Sequence, residues 1–233
     1  MEQQDATRIL YLLQVATAAF PTGAFNHSYG FETWIDREQI NDAASFEVAC
    51  RDWLQHAATP LDGVAVAHAQ RFAVLGDAEG LITLDGQVGA MRLTRESRDA
   101  SVKTGRSFLN TLCDVFETPP VLTDYVAAVR KGTCEGHQAV GFGAAAGVYG
   151  LSTGDSVLAH LQSSLSNLAS VAARLVPLGQ VEIQRILKRA WPLLMSCTEV
   201  AERTELNRMS ANMVSLDVAS MHHESLHTRL CMS

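Results

Sequence analysis

The sequence predicts an all-α fold, a multi-helix bundle of about eight to ten helices. Apolar residues recur at steps of three and four residues along most of the chain, which is typical of one helix face. Strand-like alternation is nearly absent, and proline and glycine lie mostly between the periodic segments. Because each helix must bury its apolar face on a neighbour, we expect residues 1–233 to form a single helical domain.

The helices are bounded by turn signals. Pro60 is expected to end a helix, and Asp62 is expected to cap the next one. Pro119 and Pro120 mark the clearest break, and Thr123–Val129 starts the second half. Helices are expected at about residues 9–15, 44–59, 64–75, 77–89, 90–116, 139–149, 155–175, 177–190, 192–205 and 211–230.

The stretch Ala18–Thr33, hereafter the corner, interrupts the helical pattern with a proline, two glycines and several polar residues. Pro21 is expected to end the first helix, and Gly23 to permit the turn. Gly30 would let a neighbouring backbone come close, and Glu32 would point an exposed charge outward. Since no other segment supplies the rest of a catalytic site, the corner is interpreted as a rigid turn that another protein recognises.

Composition excludes several classes of partner. The formal net charge is −7 without any run of Lys or Arg, which argues against nucleic acid. The apolar stretch Ala139–Leu151 is shorter than the roughly 18 residues of a membrane span. The acidic N-terminus does not resemble a signal peptide, so we expect a cytoplasmic protein.

Two short motifs have both a chemical and a structural interpretation. The segment GFGAAA, residues 141–146, fits a dinucleotide fingerprint but lacks a preceding strand, so close helix packing through Gly143, Gly147 and Gly150 is favoured. Cys134 and His137 could be two metal ligands, but nothing nearby completes a site, and a solvent-side turn is favoured.

The C-terminus raises the question of a metal site. If residues 211–230 continue as a helix, His223, His227 and Cys231 share one face, and imidazole and thiolate suit nickel, zinc or copper. His223 also continues an apolar row, which favours a packed histidine. We expect no metal ligands, but keep these three residues as candidates for the alternative function of a direct nickel-binding carrier.

The search for enzyme motifs gives a negative expectation. The chain has no GxSxG, HExxH or Walker-type motif, so we expect no catalytic residues and no enzyme activity. The charged segment from Arg92 to Arg106 is interpreted as a solvated helix face or a partner surface.

Five stretches, in order along the chain, resemble signatures of the urease accessory protein UreF family. They are LLQVATAAFPTGAFNHSYGFE, ESRDASVKTGRSFL, GHQAVGFGAAAGVYGL, AARLVPLGQVEIQ and HHESLHTRLCMS. The resemblance implies a UreF-like all-α homodimer without independent catalysis or a tightly bound cofactor. It also implies a complex with the GTPase UreG and with UreD (UreH in some organisms) that delivers nickel to apo-urease.

The resemblance further implies where partners bind. Glu32 is the acid expected to face UreG, and Arg174 is a basic candidate for the same surface. The C-terminal tail, about residues 206–233, is expected to dock on UreD. The implied partner-binding residues are Pro21, Gly23, Ser28, Gly30, Glu32, Arg174, Pro177, Gly179, Gln180, His223, Glu224, Arg229 and Leu230.

Some positions depart from the family pattern. Ala24 and Asn26 replace a glycine and a serine in the corner. The second glycine that the family has after LVPLGQ is absent, and Glu182 and Ile183 stand in its place. In the tail, His227 and Cys231 replace aromatic residues, and these two changes create the apparent metal face.

Overall fold

The structure, a computed structural model, describes residues 3–232, with side chains from Asp5 onward. Ser233, the last residue of the predicted tail, lies outside the described residues. The all-α prediction is confirmed, since the described residues form helices and no strand. The α-helical segments are α1 (Gln3–Val15), α2 (Phe31–Asp36), α3 (Ala43–Trp53), α4 (Val64–Leu75), α5 (Ala78–Met91), α6 (Arg95–Val115), α7 (Pro120–Lys131), α8 (Gln138–Val148), α9 (Thr153–Leu175), α10 (Gln180–Arg189), α11 (Trp191–Arg203) and α12 (Val214–His223).

Pro60 does not end a helix, contrary to the prediction. It lies inside a π-helical segment, Leu54–Gly63, that joins α3 directly to α4. A proline in an α-helix clashes with the carbonyl four residues earlier, whereas the wider π turn, with bonds from residue i to i+5, relieves this clash. Asp62 therefore caps no helix and instead pairs with the buried guanidinium of Arg92.

The apolar core is built around α8, which packs against α4, α6 and α9. A Cβ atom on Gly143 would lie 2.5 Å from the carbonyl oxygen of Val66, and one on Gly147 would lie 2.6 Å from that of Gln70. The packing interpretation of GFGAAA is thus confirmed for these two glycines. Gly150 lies beyond the end of α8, where its φ of +80° forms a turn.

Cys134 and His137 are buried, so the prediction of a solvent-side turn is wrong. The buried carboxylate of Asp85 on α5 draws their loop inward by accepting hydrogen bonds from the backbone N–H groups of residues 135–137. Asp85 also accepts a hydrogen bond from the hydroxyl of Tyr125 at 2.8 Å. With four donors, this carboxylate is compensated for its burial and fixes the loop before α8.

Gly105 on α6 marks the closest approach to this loop. Its Cβ would lie 2.1 Å from the carbonyl oxygen of Gly136, and backbone cannot move aside as a side chain can. We expect Gly105→Ala to lower the free energy of unfolding by about 3 kcal/mol in a urea titration followed by circular dichroism. Gly86→Ala in α5 meets nothing within 4 Å and should raise stability slightly. Similar results for the two variants would contradict this packing.

No helix among the described residues is long and apolar enough to cross a membrane.

Candidate functional site

The tail folds back onto the corner, so the first and the last signatures of the sequence form one site. α12 packs against α2 and α6. The hydroxyl of Thr33 donates to the carbonyl of Ala219 at 2.8 Å, and the backbone N–H of Met232 donates to the carbonyl of Asn26 at 2.7 Å.

Gly30 allows this docking. Its φ of +90° favours glycine, and a Cβ there would lie 3.2 Å from the backbone carbonyl oxygen of Leu216 and from the backbone nitrogen of Ser220. The predicted close approach of a neighbouring backbone is therefore confirmed, and that backbone belongs to α12. Gly23, with φ of +75°, forms the predicted turn. Pro21 ends no helix, since α1 ends at Val15.

A charged cluster lies between the tail and the body of the protein. Its members Glu32, Glu96 and His223 are buried, and Arg229 lies at its exposed edge. The Nε2 atom of His223 is 2.8 Å from Oε2 of Glu32, and its Nδ1 atom is 2.7 Å from Oε2 of Glu96. Arg229 donates to the other oxygen of Glu96. Carboxylates only accept hydrogen bonds, so both ring nitrogens can donate together only from the imidazolium form. The cluster thus places the carboxyl groups of Glu32 and Glu96 against an imidazole and a guanidinium group.

Glu32 is buried, so the prediction that it points an exposed charge outward is wrong. The reason is that the tail covers Glu32 and supplies hydrogen-bond donors to its carboxylate. The backbone N–H groups of Leu230 and Cys231 donate to its two oxygens at 2.6 and 2.9 Å, in addition to His223. Burial acts to raise the pKa of Glu32, but the hydrogen bonds from His223 and the two backbone groups outweigh it, and the pKa is lowered.

The predicted metal face does not form. α12 ends at His223, so His227 and Cys231 do not continue its face. His227 is exposed, whereas Cys231 is buried beside Glu32, and burial first, then the nearby carboxylate, raise its pKa to about 12. Within residues 3–232, no group of three or more His, Cys, Asp or Glu side chains is placed to hold a metal ion.

The charged face of α6 is only partly solvated. Glu96 is buried in the charged cluster, and Arg92, just before the helix, is buried against Asp62. The burial of Glu96 could have been predicted from its spacing. Glu96 lies four residues before buried Ala100, and so on the buried face of α6. Arg95 remains exposed and forms a surface ion pair with Glu224 at 2.6 Å.

The remaining predicted residues divide between the corner and a second surface. The hydroxyl of Ser28 is buried and accepts a hydrogen bond from the backbone N–H of Glu32 at 3.3 Å. Arg174 is exposed and donates to the carbonyl of Phe25, which connects α9 with the corner. Pro177, Gly179 and Gln180 lie exposed at the α9–α10 junction and do not join the charged cluster.

An exposed apolar surface adjoins the docked tail, and the sequence analysis had singled out only Leu230 among its side chains. The side chains of Phe25, Leu230 and Met232 are 46%, 64% and 52% exposed. Backbone hydrogen bonds fix two of them, since Leu230 donates to Glu32 and Met232 donates to Asn26. The charged cluster thus fixes the tail in a position where large apolar side chains are exposed to solvent. Such an exposed apolar surface is typical of a protein-binding site.

Acid is expected to release the tail. The lowered pKa of Glu32 means that its contribution to tail docking is complete above its ordinary value of 4.5 and is lost as the pH falls through the lower folded value. Amide NMR signals of Leu230 and Cys231, followed from about pH 7 to about pH 3, should shift to unfolded positions at the acid end. In Glu32→Gln this transition should be weakened, and an identical transition would contradict the assignment to Glu32.

Comparison with known proteins identifies the family of this chain. A sequence model of the UreF family matches residues 40–190. The chain is 32% identical over 226 residues to the urease accessory protein UreF of Geobacillus kaustophilus (strain HTA426), covering 97% of this chain and 98% of that protein. It is 34% identical over 229 residues to the protein of the same name from Paenarthrobacter aurescens (strain TC1), covering 98% and 100%. This chain therefore belongs to the urease accessory protein UreF family.

Proposed function

We propose that this chain is a non-catalytic scaffold and regulator of urease maturation in the cytoplasm. In this proposal it joins the GTPase UreG and UreD in one complex that promotes nickel insertion into apo-urease. The observation that carries it is the docked tail, which presents an exposed apolar surface at the place where the two most distant family signatures meet. Membership of an accessory-protein family over nearly the whole chain supports it.

The tail and the corner are proposed to form the UreD-binding surface. Exposed Leu230, Met232 and Phe25 would supply apolar contact area. Arg229 and His223 would act indirectly, because their charged groups are directed to Glu96 and Glu32 and hold the tail in place. Glu224 is exposed, pairs with Arg95 at the surface, and would contact the partner directly.

The role proposed for Glu32 follows from its burial. A carboxylate that accepts three hydrogen bonds from the tail positions the tail and does not itself meet a partner. UreG is therefore proposed to bind the second surface, around Arg174 and the exposed junction of Pro177, Gly179 and Gln180. Nickel and GTP are linked to this chain through UreG, and we propose that the chain acts as a homodimer without a tightly bound cofactor.

Co-expression with UreG and UreD tests this function. The expected result is a complex of all three proteins that survives size-exclusion chromatography, while the chain alone leaves GTP unhydrolysed. A chain that elutes separately from both proteins would overturn the proposal.

A further inference from the structure

A groove of about 370 Å³ with a mixed polar and apolar lining runs between α9 and α10. Its volume lies within the range of small-ligand sites. Residues Gln162 to Ala173 form one wall, and Gln180 to Lys188 form the other. Trp191, at the start of α11, also lines the groove and is 56% exposed.

The groove is positively charged although the whole chain carries a formal charge of −7. Arg174 and Lys188 line it, and among the described residues that line it none is Asp or Glu. The nearby carboxylate of Glu182 does not line the groove and pairs instead with Arg185 and Arg189. The charge complementary to this groove is therefore negative.

One buried atom in the groove lacks a partner. The Oε1 atom of Gln162 is buried and accepts no hydrogen bond, although its amide nitrogen donates to the hydroxyl of Ser166 at 3.3 Å. A buried acceptor without a donor is costly, and the backbone N–H of a bound chain is a suitable donor. Gln180 and Gln184 on the facing wall offer further amides for an extended backbone.

The length of the groove limits the size of the ligand. The wall from Gln162 to Ala173 is about 16 Å long at the rise of an α-helix. An extended chain of about five residues covers this distance. The exposed ring of Trp191 can pack against an apolar side chain of such a segment.

We propose that this groove binds an acidic, extended segment of about five residues from a partner protein. The carboxylates of the segment pair with Arg174 and Lys188, and one of its backbone N–H groups donates to Gln162. The inference rests on the proposed function, since a scaffold needs a second surface separate from the tail. Beyond the proposed function, the inference states which kind of partner segment this surface recognises, namely an acidic and extended one.

Fluorescence polarisation tests the groove in the full-length chain with two labelled peptides of matched shape, Glu-Leu-Asp-Leu-Glu and Gln-Leu-Asn-Leu-Gln. The acidic peptide should bind at least about tenfold more tightly than the amide peptide, and the difference should shrink at about 0.5 M salt. Lys188→Glu should weaken binding of the acidic peptide at least about tenfold. Lys188→Glu is the main variant because, among the described residues, Lys188 makes no hydrogen bond or ion pair with the corner that this change would remove. Arg174→Gln is the second variant, since Arg174 also donates to the carbonyl of Phe25 in the corner.

The matched control is Arg130→Glu, which reverses an exposed charge at the end of α7 and should leave peptide binding unchanged. Equal affinity for the two peptides, or unchanged binding in Lys188→Glu, would overturn the inference. Assembly with UreG and UreD is measured in parallel with the same Lys188→Glu protein. If the unmodified chain assembles and the variant assembles equally well, only the groove inference fails. If the unmodified chain does not assemble, the proposed function fails, whatever the peptides show.

Discussion

Truncation of the chain after Met221 is expected to abolish UreD binding. The truncated chain lacks His223 and Arg229, which hold the tail, and Leu230 and Met232, which form the exposed apolar surface. Loss of several central apolar contacts should weaken the complex at least about 100-fold. The measurement is co-purification of UreD from cells that express both proteins, with helical content checked by circular dichroism.

Arg229→Ala tests the same docking of the tail without shortening the chain. It leaves Glu96 with one partner fewer and removes the donor to the carbonyl of Met232, so UreD binding should fall in the same direction. The control is Arg130→Ala, a change of an exposed arginine on α7. Retained co-purification of UreD with the truncated chain would contradict the assignment of the tail as its docking surface.

Glu32→Ala is expected to have the largest effect of any single substitution in the charged cluster. It leaves His223 and the backbone N–H groups of Leu230 and Cys231 without their acceptor. Removing one partner of a buried ion pair typically costs about 3–5 kcal/mol. We expect this loss as release of the tail, measured by faster proteolysis after residue 213 and by a lower unfolding free energy.

Two control variants test which property of Glu32 matters. One removes its charge but keeps an acceptor oxygen, and the other removes a carboxylate that is exposed. Glu32→Gln keeps one acceptor oxygen and should lose less than Glu32→Ala. Glu224→Ala removes an exposed carboxylate from the surface pair with Arg95 and should have little measurable effect on stability. If Glu32→Ala and Glu224→Ala behave alike, the charged cluster does not hold the tail.

Local spacing predicted the helices and part of their packing. Gly143 and Gly147 stand four residues apart on one helix face, and this spacing, with the lack of a preceding strand, favoured packing over a dinucleotide site. Gly30 was likewise predicted to accept a close backbone, because a glycine beside a turn tolerates both positive φ and close contact. These features depend on short segments, so the sequence contains their signal.

The site depends on contacts between distant parts of the chain. Glu32 and His223 are 191 residues apart, and nothing local indicates that a charged tail residue covers an acid of the corner. The helical pattern around His223 instead suggested a face with His227 and Cys231, which the end of α12 at His223 rules out. Pro60 shows the same limit, because the packing of α3 and α4 as one continuous helix overrides a local rule.

The nickel content of urease tests the central claim most directly. Urease is produced with UreG and UreD in three parallel cultures, containing the full chain, the chain truncated after Met221 or no chain. Nickel per active site is then measured in the purified enzyme. The full chain should give nearly complete occupancy, while the truncated chain and its absence should both give nickel-poor urease. Equal nickel content with and without this chain would contradict its role as the scaffold of urease maturation.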